Sequence, residues 1–380
     1  MGLEFIEKEL FELRKNDLYR DFRTIESAQG RKVIIHGKEL LCFCSNDYLG
    51  LATDPRVIEE FVKTADEYGI GAGGSRLISG NMEPHNRLEA ELAVFKRTEK
   101  SIVFPTGYMA NLGTISALTG PDDAVLIDRL NHASIIDGAR LSGAKILVYK
   151  HCDMESLRDT LELARQYRRR LIITDTVFSM DGDIPHLPDI ISLAKRYDAI
   201  TMIDEAHGTG VFGATGRGVA EHFGVEGEID IVMGTLSKAV GCLGGYVCGS
   251  KHLIDYIRNR ARSFIYTTAL PPAICAAAVK ALEIIDSEPE RRDMLWQNIS
   301  YFRSQIDETK HDMMNSCSQI IPLLIGEAGA AVEKARQLYK NGFLVSAIRP
   351  PAVPKEQARL RISIMSSHTK EDIEQLIRAL

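Results

Sequence analysis

Two stretches of the sequence place polar residues directly after an apolar run, and their types suit covalent and acid–base chemistry. In the first, Asp204 follows an apolar run that starts at Ala199, and His207 lies three residues further on. In the second, Lys238 follows the apolar segment that begins at Ile229 and precedes a glycine-rich turn. A lysine in a desolvated pocket can bond to an aldehyde, and a carboxylate can neutralise a protonated pyridine nitrogen. The two stretches predict a site for an aldehyde-bearing pyridine cofactor.

Each of these residues has a more ordinary interpretation when it is taken alone. Asp204 would more often cap a helix, His207 would more often be a structural histidine, and Lys238 would more often be a solvated surface group. Their spacing favours the cofactor site over these ordinary interpretations, because all three follow predicted strands and therefore fall at the same edge of one sheet.

Two more predicted strand ends supply polar or phosphate-binding groups. The apolar run from Leu171 ends in Asp175 and leads to Ser179, which can equally be a loop-capping hydroxyl. Another strand precedes Gly107 and Tyr108 at the start of a helical pattern. Backbone N–H groups at such a helix N-terminus bind phosphate without a basic side chain.

The elements that position these residues alternate between short apolar runs and amphipathic stretches, which is the pattern of an α/β fold with a mostly parallel sheet. A helix is predicted over Phe5–Leu13, and from about Ser287 longer helical patterns with single strands predict a smaller α+β domain. We expect an N-terminal segment at 1–45, a large cofactor-binding domain at 46–286 and a small C-terminal domain at 287–380. The predicted strands are Ser101–Phe104, Ala124–Ile127, Lys145–Tyr149, Leu171–Thr174, Ile200–Ile203, Ile229–Met233, Tyr246–Cys248, Ile320–Ile325 and Leu360–Ile364.

Several longer motifs carry a resemblance to a known family over nearly the whole chain. They are Ser45-Asn-Asp-Tyr-Leu-Gly-Leu, Gly71-Ala-Gly-Gly-Ser-Arg-Leu-Ile-Ser-Gly, Asn131-His-Ala-Ser, Asp204-Glu-Ala-His-Gly-Thr-Gly, Thr235-Leu-Ser-Lys and His368-Thr. With these motifs the chain resembles the α-oxoamine synthases, which join an amino acid to an acyl thioester with pyridoxal 5'-phosphate (PLP). The resemblance implies the PLP-dependent transferase fold type I (aspartate aminotransferase-like), with a large domain and a smaller C-terminal one.

The resemblance also implies roles for the residues around the cofactor. Lys238 would hold PLP covalently and later move protons, while Asp204 would pair with the pyridine nitrogen. His207 and Ser179 would contact the oxygen side of the ring. His132 would stack on the ring face, and it is also a candidate proton donor during catalysis.

The phosphate contacts implied by the resemblance come from two chains. Gly107 and Tyr108 match the phosphate-binding turn, and Thr235 lies beside the lysine. Thr268 matches a residue that reaches the phosphate from the second subunit, so a homodimer with a shared active site is expected.

Substrate contacts follow from the same resemblance. Arg361 matches the arginine that binds the amino-acid carboxylate, with Asn46 near it. Arg20 corresponds to the arginine near the far carboxylate of the acyl chain, although Arg23 can fill that place after a small register shift. Ala352 stands where the family usually has threonine, so one hydroxyl contact to the substrate would be missing.

Within the family, the chain is most similar to the members that condense L-alanine with a pimeloyl thioester in biotin biosynthesis. The pointers are Thr235-Leu-Ser-Lys-Ala-Val-Gly, Ile348-Arg-Pro-Pro-Ala-Val-Pro and Ala358-Arg-Leu-Arg-Ile-Ser. Whether coenzyme A or acyl carrier protein delivers the pimeloyl group stays open. A sister activity, glycine C-acetyltransferase (2-amino-3-oxobutanoate CoA ligase), remains an alternative because only pocket residues differ.

Two other interpretations are weaker. Residues 69–74 fit the G-x-G-x-x-G pattern of dinucleotide-binding proteins, but they follow a helical pattern over 57–68, and Glu89 and Glu91 lie within another. A non-catalytic partner subunit would be expected to lose its Schiff-base lysine, whereas Lys238 is present.

Composition limits the partners and the compartment. A formal net charge of −6 offers no general attraction for nucleic acid, and no apolar run reaches membrane-spanning length. The seven cysteines are scattered without a Cys-x-x-Cys pair, which disfavours a disulfide framework and a zinc site. We therefore expect a cytoplasmic protein that binds neither nucleic acid nor membrane and holds no metal.

Overall fold

The structure is a computed structural model that describes residues 2–380, and its contacts group the chain into two units. The first unit comprises the residues up to Gly50, the short segment Ser179–Asp183, and Asp293–Leu380. The second comprises Leu51–Phe178 and Ile184–Arg292. The domain boundaries predicted after residues 45 and 286 stay predictions.

Thirteen strands and fourteen helices follow one another in the described part of the chain. The strands are β1 (Lys32–Ile35), β2 (Lys38–Cys42), β3 (Lys100–Phe104), β4 (Ala124–Asp128), β5 (Lys145–Tyr149), β6 (Arg170–Asp175), β7 (Ile200–Asp204), β8 (Ile231–Thr235), β9 (Gly245–Gly249), β10 (Ile320–Gly326), β11 (Phe343–Leu344), β12 (Ser346–Ile348) and β13 (Ala358–Ser363). The helices are α1 (Glu4–Lys15), α2 (Pro55–Tyr68), α3 (Glu83–Phe95), α4 (Gly107–Leu118), α5 (Ala133–Ser142), α6 (Met154–Ala164), α7 (Leu187–Arg196), α8 (Val219–His222), α9 (Lys251–Arg260), α10 (Arg262–Ile265), α11 (Pro272–Ser287), α12 (Pro289–Gln305), α13 (Ala328–Lys340) and α14 (Lys370–Ala379).

The second unit contains a seven-stranded sheet with the order β3-β9-β8-β7-β6-β4-β5. Only β9 runs antiparallel to its two neighbours, and the neighbours from β8 to β5 pair in parallel. Most residues of β4, β6 and β7 are buried, as expected when helices cover both faces of a parallel sheet. The predicted α/β fold with a mostly parallel sheet is therefore confirmed.

The predicted strands are present, with small shifts at their ends. One two-residue shift is at β8, which begins at Ile231, whereas the apolar pattern predicted a start at Ile229. The intervening Asp230 uses its carboxylate to accept hydrogen bonds from the backbone N–H and the hydroxyl of Thr201. These side-chain bonds occupy Thr201 at the start of the strand pair, so the β7–β8 ladder begins after Asp230.

The close packing of α5 against α4 depends on a glycine. A Cβ added at Gly138 of α5 would lie 3.0 Å from Ile115 Cδ1 and 3.2 Å from the carbonyl oxygen of Asn111, both on α4. The glycine therefore lets α4 and α5 approach closely above the core. Ile115 is itself fully buried in the core cluster, together with Ile127 and Ile173 of the sheet.

The first unit contains two small sheets, with the orders β1-β2-β11 and β10-β13-β12. His368 joins elements of this unit, because its Nδ1 accepts the Met365 N–H at 3.1 Å and its Nε2 lies 3.0 Å from the Cys42 carbonyl oxygen. The ring also stacks on Phe43 with centroids 4.1 Å apart. Burial lowers the pKa of His368 to about 4, since the charged ring would lose its water and Nδ1 could no longer accept.

Within residues 2–380, none of the helices combines the length and apolar character that a membrane span requires.

The buried histidine gives a prediction for stability against pH. The folded-state pKa of His368 lies below the unfolded value, so the unfolded chain binds more protons as the pH falls through this range. The free energy of unfolding should therefore lose about 2 kcal/mol from this residue between pH 7 and pH 5. His368→Gln should show a smaller loss over this range in urea unfolding experiments. His36→Gln, which removes an exposed histidine, is the control, and an unchanged pH dependence in His368→Gln would contradict the prediction.

Candidate active site

Polar residues from several strands of the second unit meet at the carboxyl edge of its sheet. Asp175 is the last residue of β6 and stands opposite Asp204, the last residue of β7. Thr235 ends the next strand, β8. They border a cavity of about 250 Å³. Its lining residues are Thr106, Gly107, Tyr108, Asn111, His132, Ser134, Asp175, Asp204, Ala206, His207, Met233, Thr235, Ser237, Lys238 and Leu243.

The cavity brings together Lys238 and His207, as the sequence predicted. Lys238 Nζ lies 2.8 Å from His207 Nε2. The turn that carries the lysine is held by Thr235, whose hydroxyl donates to the Gly244 carbonyl at 2.8 Å and accepts the Ser237 N–H at 3.2 Å. The amine therefore sits on a fixed turn immediately after β8.

Asp204 is a buried carboxylate that is held at both oxygens. Its Oδ2 accepts a hydrogen bond from Asn111 Nδ2 at 2.8 Å, and its Oδ1 accepts from the Ala206 N–H at 2.9 Å. The residue is only 4 % exposed, so a cation or a protonated ring nitrogen in the cavity would meet a desolvated negative charge. This is the electrostatic environment that stabilises a pyridinium.

His132 borders the same cavity at the start of α5. Its Nδ1 lies 2.7 Å from Ser134 Oγ, and its backbone N–H donates to Asp175 Oδ2 at 2.9 Å. The surrounding protein lowers the pKa of His132 because it removes water from the ring, although the residue remains accessible. Burial and the neighbouring Asp204 together raise the pKa of Asp175 to about 7.

The predicted phosphate-binding turn lies at the N-terminus of α4. Thr106 caps this helix by accepting the Met109 N–H at 3.1 Å, and Gly107 is the first helical residue. A Cβ at Gly107 would lie 3.1 Å from Met233 Cε and 3.3 Å from Thr235 Cβ. The glycine keeps space open beside the free N–H groups of the first turn. The hydroxyl of Tyr108, the next residue, donates to the Asp137 carboxylate.

The residues of the cavity fit PLP. Lys238 supplies an amine for the aldehyde, Asp204 a desolvated carboxylate for the pyridine nitrogen, and the start of α4 N–H groups for the phosphate. Asn111 adds an observation that favours a polar ligand, because its buried Oδ1 has no hydrogen-bond partner among the described residues.

The first unit holds the predicted carboxylate-binding arginine. Arg361 on β13 is 6 % exposed, and both of its terminal nitrogens lie 3.2 Å from Asn46 Oδ1. Its Nε donates to the Ser179 carbonyl at 2.6 Å, and one terminal nitrogen donates to Ser363 Oγ at 2.8 Å. The predicted pair Arg361 and Asn46 is thus in direct contact. The cofactor role of Ser179 stays a prediction.

The remaining predicted residues lie at accessible positions. Arg20 donates to the Pro350 carbonyl at 3.3 Å, whereas Arg23 packs against the ring of Tyr339. Ala352 is exposed in the segment between β12 and β13, and Thr268 is exposed in the irregular segment that follows α10. Their substrate and phosphate roles stay predictions.

Sequence reasoning left several residues of this cavity without a role. Asn111 lies four residues after Gly107, one helical turn into α4, and it donates to both Asp204 and Ser134. Its spacing from the helix start was the only sequence signal that placed Asn111 near the site. The contact with Asp204 spans 93 positions, so it could not be predicted from a local pattern. Asp175 was recognised as a strand end, and its hydrogen bonds with the His132 segment were not predicted.

The chain belongs to the aminotransferase class I and II family, which it matches over residues 38–380. It is 46% identical to 8-amino-7-oxononanoate synthase of Thermoanaerobacter pseudethanolicus over 378 residues, covering 99% of this chain and 96% of that protein. Serine palmitoyltransferase from S. paucimobilis, solved with bound PLP and myriocin, superposes with a TM-score of 0.93 at 32% identity, covering 99% and 96% of the two chains. 8-Amino-7-oxononanoate synthase from Francisella tularensis gives a TM-score of 0.78 at 32% identity, covering 90% and 96%. The predicted type I fold is confirmed by these similarities.

The pair of carboxyl groups at the sheet edge gives a second prediction. The folded-state pKa of Asp175, about 7, lies above its ordinary value of 3.8, so the folded protein binds more protons between these values. Its contribution to the free energy of unfolding therefore falls as pH rises through this range. Asp204→Asn removes the neighbouring negative charge and should lower the pKa of Asp175.

The measurement is chemical unfolding of the PLP-free protein at several values between about pH 4 and pH 7. Asp204→Asn should lose less stability than the wild type as the pH rises. Asp175→Asn removes the titrating group and should abolish this contribution altogether. An Asp204→Asn protein with the full pH dependence of the wild type would refute the coupling between the two carboxyl groups.

Proposed function

We propose that this protein condenses L-alanine with a pimeloyl thioester to give 8-amino-7-oxononanoate, CO2 and free thiol, a step of biotin biosynthesis. The observation that carries the proposal is the grouping of Lys238, Asp204 and His132 around one cavity in this family of PLP-dependent enzymes. The particular reaction is supported by the 46% identity to 8-amino-7-oxononanoate synthase along almost the whole chain.

When bound, PLP supplies an aldehyde for the amino group and an electron-withdrawing ring that stabilises negative charge at Cα. Asp204 keeps the ring nitrogen protonated, because the buried carboxylate favours the cation. Asn111 and the Ala206 N–H hold that carboxylate in place, so little reorganisation is needed as charge develops.

Lys238 would hold PLP through its Nζ, and the amino group of alanine would take its place on the aldehyde, which would leave Lys238 as an amine. Its Nζ takes the proton from Cα of alanine as general base, and it later returns a proton to the product. The contact with His207 at 2.8 Å restrains the amine, which limits the orientations that the freed side chain can adopt. Cα of alanine would then attack the thioester carbonyl and expel the thiol, and His132 would donate a hydrogen bond to the resulting ketone while CO2 leaves.

Arg361 binds the alanine carboxylate and sets the orientation of the substrate. Only a Cα–H bond perpendicular to the cofactor ring can pass its electrons to that ring, so orientation contributes to rate as well as to binding. The guanidinium is planar and already restrained by Asn46 and the Ser179 carbonyl, which suits bidentate binding of a carboxylate.

The rival substrate pair within the same reaction class is glycine with acetyl-CoA. Arg20 and the Arg349-Pro-Pro-Ala-Val-Pro segment favour the longer dicarboxylic chain, because a second cation suits its far carboxylate. Arg20 donates to the Pro350 carbonyl, and Arg349 donates to the Tyr19 carbonyl at 2.6 Å, so the two arginine-bearing segments are in contact. Burial lowers the pKa of Arg349, and the positive charge of Arg20 lowers it further. Two positive charges therefore lie close together here.

The test is thiol release by the PLP-loaded protein, with L-alanine and pimeloyl-CoA in one assay and glycine and acetyl-CoA in the other. We expect the first pair to be preferred. A preference for the second pair would move the protein to the glycine acetyltransferase activity and would leave the cofactor chemistry unchanged. Pimeloyl-acyl carrier protein, compared with pimeloyl-CoA, identifies the natural thiol carrier.

The control for the covalent chemistry is the Lys238→Ala variant. Borohydride should fix PLP on Lys238 in the wild type and should leave Lys238→Ala unlabelled, since the alanine offers no amine. Thiol release should also be lost in Lys238→Ala. A colourless Lys238→Ala protein with full activity would exclude the proposed mechanism.

We propose further that two chains share each active site and that the protein acts in the cytoplasm. The segment 69–80 exposes Ile70 and Ile78 almost fully, and Tyr266, near Thr268, is 71 % exposed. Such large exposed apolar side chains suit an interface with a second copy. None of the cysteines forms a disulfide within residues 2–380, which suits a reducing compartment.

Mixed dimers test the shared site. Lys238→Ala lacks the amine, and Thr268→Glu would place a carboxylate where Thr268 of the partner subunit is proposed to meet the phosphate. Both variants should be inactive alone. Mixed and allowed to exchange subunits, they should regain thiol release, because each heterodimer contains one site with neither substitution. Heterodimers that form without any activity would contradict the shared site.

A further inference from the structure

The carboxyl group of Asp175 lies in the cavity wall, yet the proposed chemistry gives it no role. The residue is 4 % exposed and stands in register with Asp204 on the neighbouring strand. A buried carboxyl group is unfavourable unless hydrogen bonds replace its water. The groups that supply those bonds therefore show what the residue holds in place.

A single oxygen of Asp175 fixes the segment that joins β4 to α5. Its Oδ2 accepts from Asn131 Nδ2 at 2.7 Å and from the His132 N–H at 2.9 Å. Asn131 Oδ1 in turn accepts the Asp128 N–H at 2.8 Å, so this side chain links Asp175 to the end of β4. Asp175 thus anchors the backbone at His132 from 43 positions away.

The ring of His132 is restrained separately from its backbone. His132 Nδ1 lies 2.7 Å from Ser134 Oγ, and that hydroxyl accepts from Asn111 Nδ2 at 2.9 Å. Asn111 also donates to Asp204. The histidine is therefore held at its backbone by Asp175 and at its ring by a chain of bonds that ends on Asp204.

We propose that Asp175 is a positioning residue that holds His132 in the orientation its catalytic role needs. It does so through the two hydrogen bonds that its Oδ2 accepts, one from the Asn131 side chain and one from the His132 N–H. The inference rests on the proposed function, because that function gives His132 its part in the reaction. Asp175 acts through His132 and need not touch the substrate or the cofactor itself.

Two substitutions separate hydrogen bonding from charge. Asp175→Asn keeps one carbonyl oxygen that can accept both bonds, while it removes the negative charge. Asp175→Ala removes the acceptor and the charge together. Since the pKa of Asp175 is about 7, the protonated acid is already a substantial form near neutral pH, and the amide is its close mimic.

Hydrogen exchange of the His132 amide in the PLP-free protein is the first readout, because it needs no activity. In Asp175→Ala the amide should exchange about tenfold faster than in the wild type, as expected for the loss of one hydrogen bond. In Asp175→Asn the exchange should stay within about threefold of the wild type.

Steady-state kinetics with L-alanine and pimeloyl-CoA is the second readout. Asp175→Ala should lower kcat about tenfold, because a misplaced proton donor slows the chemical step. The KM for L-alanine should change by less than about twofold, since Arg361 binds its carboxylate independently. Asp175→Asn should retain kcat close to the wild-type value.

Asp123→Ala is the matched control for a general loss of stability. Asp123 is also a fully buried aspartate that accepts a backbone N–H, from Gly120 at 2.9 Å, but it precedes β4 at the opposite edge of the sheet. This variant should be destabilised without faster exchange at His132 and without a lower kcat.

Three results would overturn the proposal. The first is a His132 amide that exchanges at the wild-type rate in Asp175→Ala. The second is an Asp175→Asn variant whose exchange rate and kcat are as impaired as those of Asp175→Ala. The third is an Asp123→Ala variant with the same defects in exchange rate and kcat. If wild-type protein released no thiol from either substrate pair, the proposed function would fail, and the exchange measurement would still decide whether Asp175 holds His132.

Discussion

The burial of the Asp204 carboxylate is the constraint on which the second unit of this protein depends. An isolated charge at this depth would be strongly unfavourable, and Asn111 and the Ala206 N–H offset part of that cost. The part of this cost that the two hydrogen bonds do not offset favours a positively charged partner for Asp204 in the cavity. Burial raises the pKa of Asp175, and the Asp204 carboxylate raises it further, because the parallel register of β6 and β7 places the two strand ends side by side.

The sequence predicted this edge of the sheet because strand ends are local features. Asp204 and Lys238 each follow a continuous apolar run, and parallel strands bring their carboxyl ends to one edge whatever their order. The order itself was not predicted, since it depends on long-range pairing. The contact between Asn111 and Asp204 has the same origin, as it requires the first turn of α4 to reach the end of β7 and leaves no periodic signal in either segment.

The boundary of β8 shows why apolar patterns alone misplace strand ends. Ile229 and Ile231 are both suited to a strand, but the carboxylate of Asp230 between them bonds to Thr201. Side-chain acceptors compete with the backbone ladder in this way, and a pattern of apolar residues does not register that competition. For the same reason, the hydrogen bonds from the His132 segment to Asp175 became visible only in three dimensions.

The two units carry separate chemical tasks in the proposed reaction. In that proposal the second unit would supply the groups for covalent and proton-transfer steps, and the first unit would supply Arg361 and Arg20 for the substrate carboxylates. Arg361 is restrained by four hydrogen bonds within the protein, so much of its side-chain entropy is lost in folding. A lysine at this position would keep the charge without the planar fork, and it would therefore bind the carboxylate without fixing its direction.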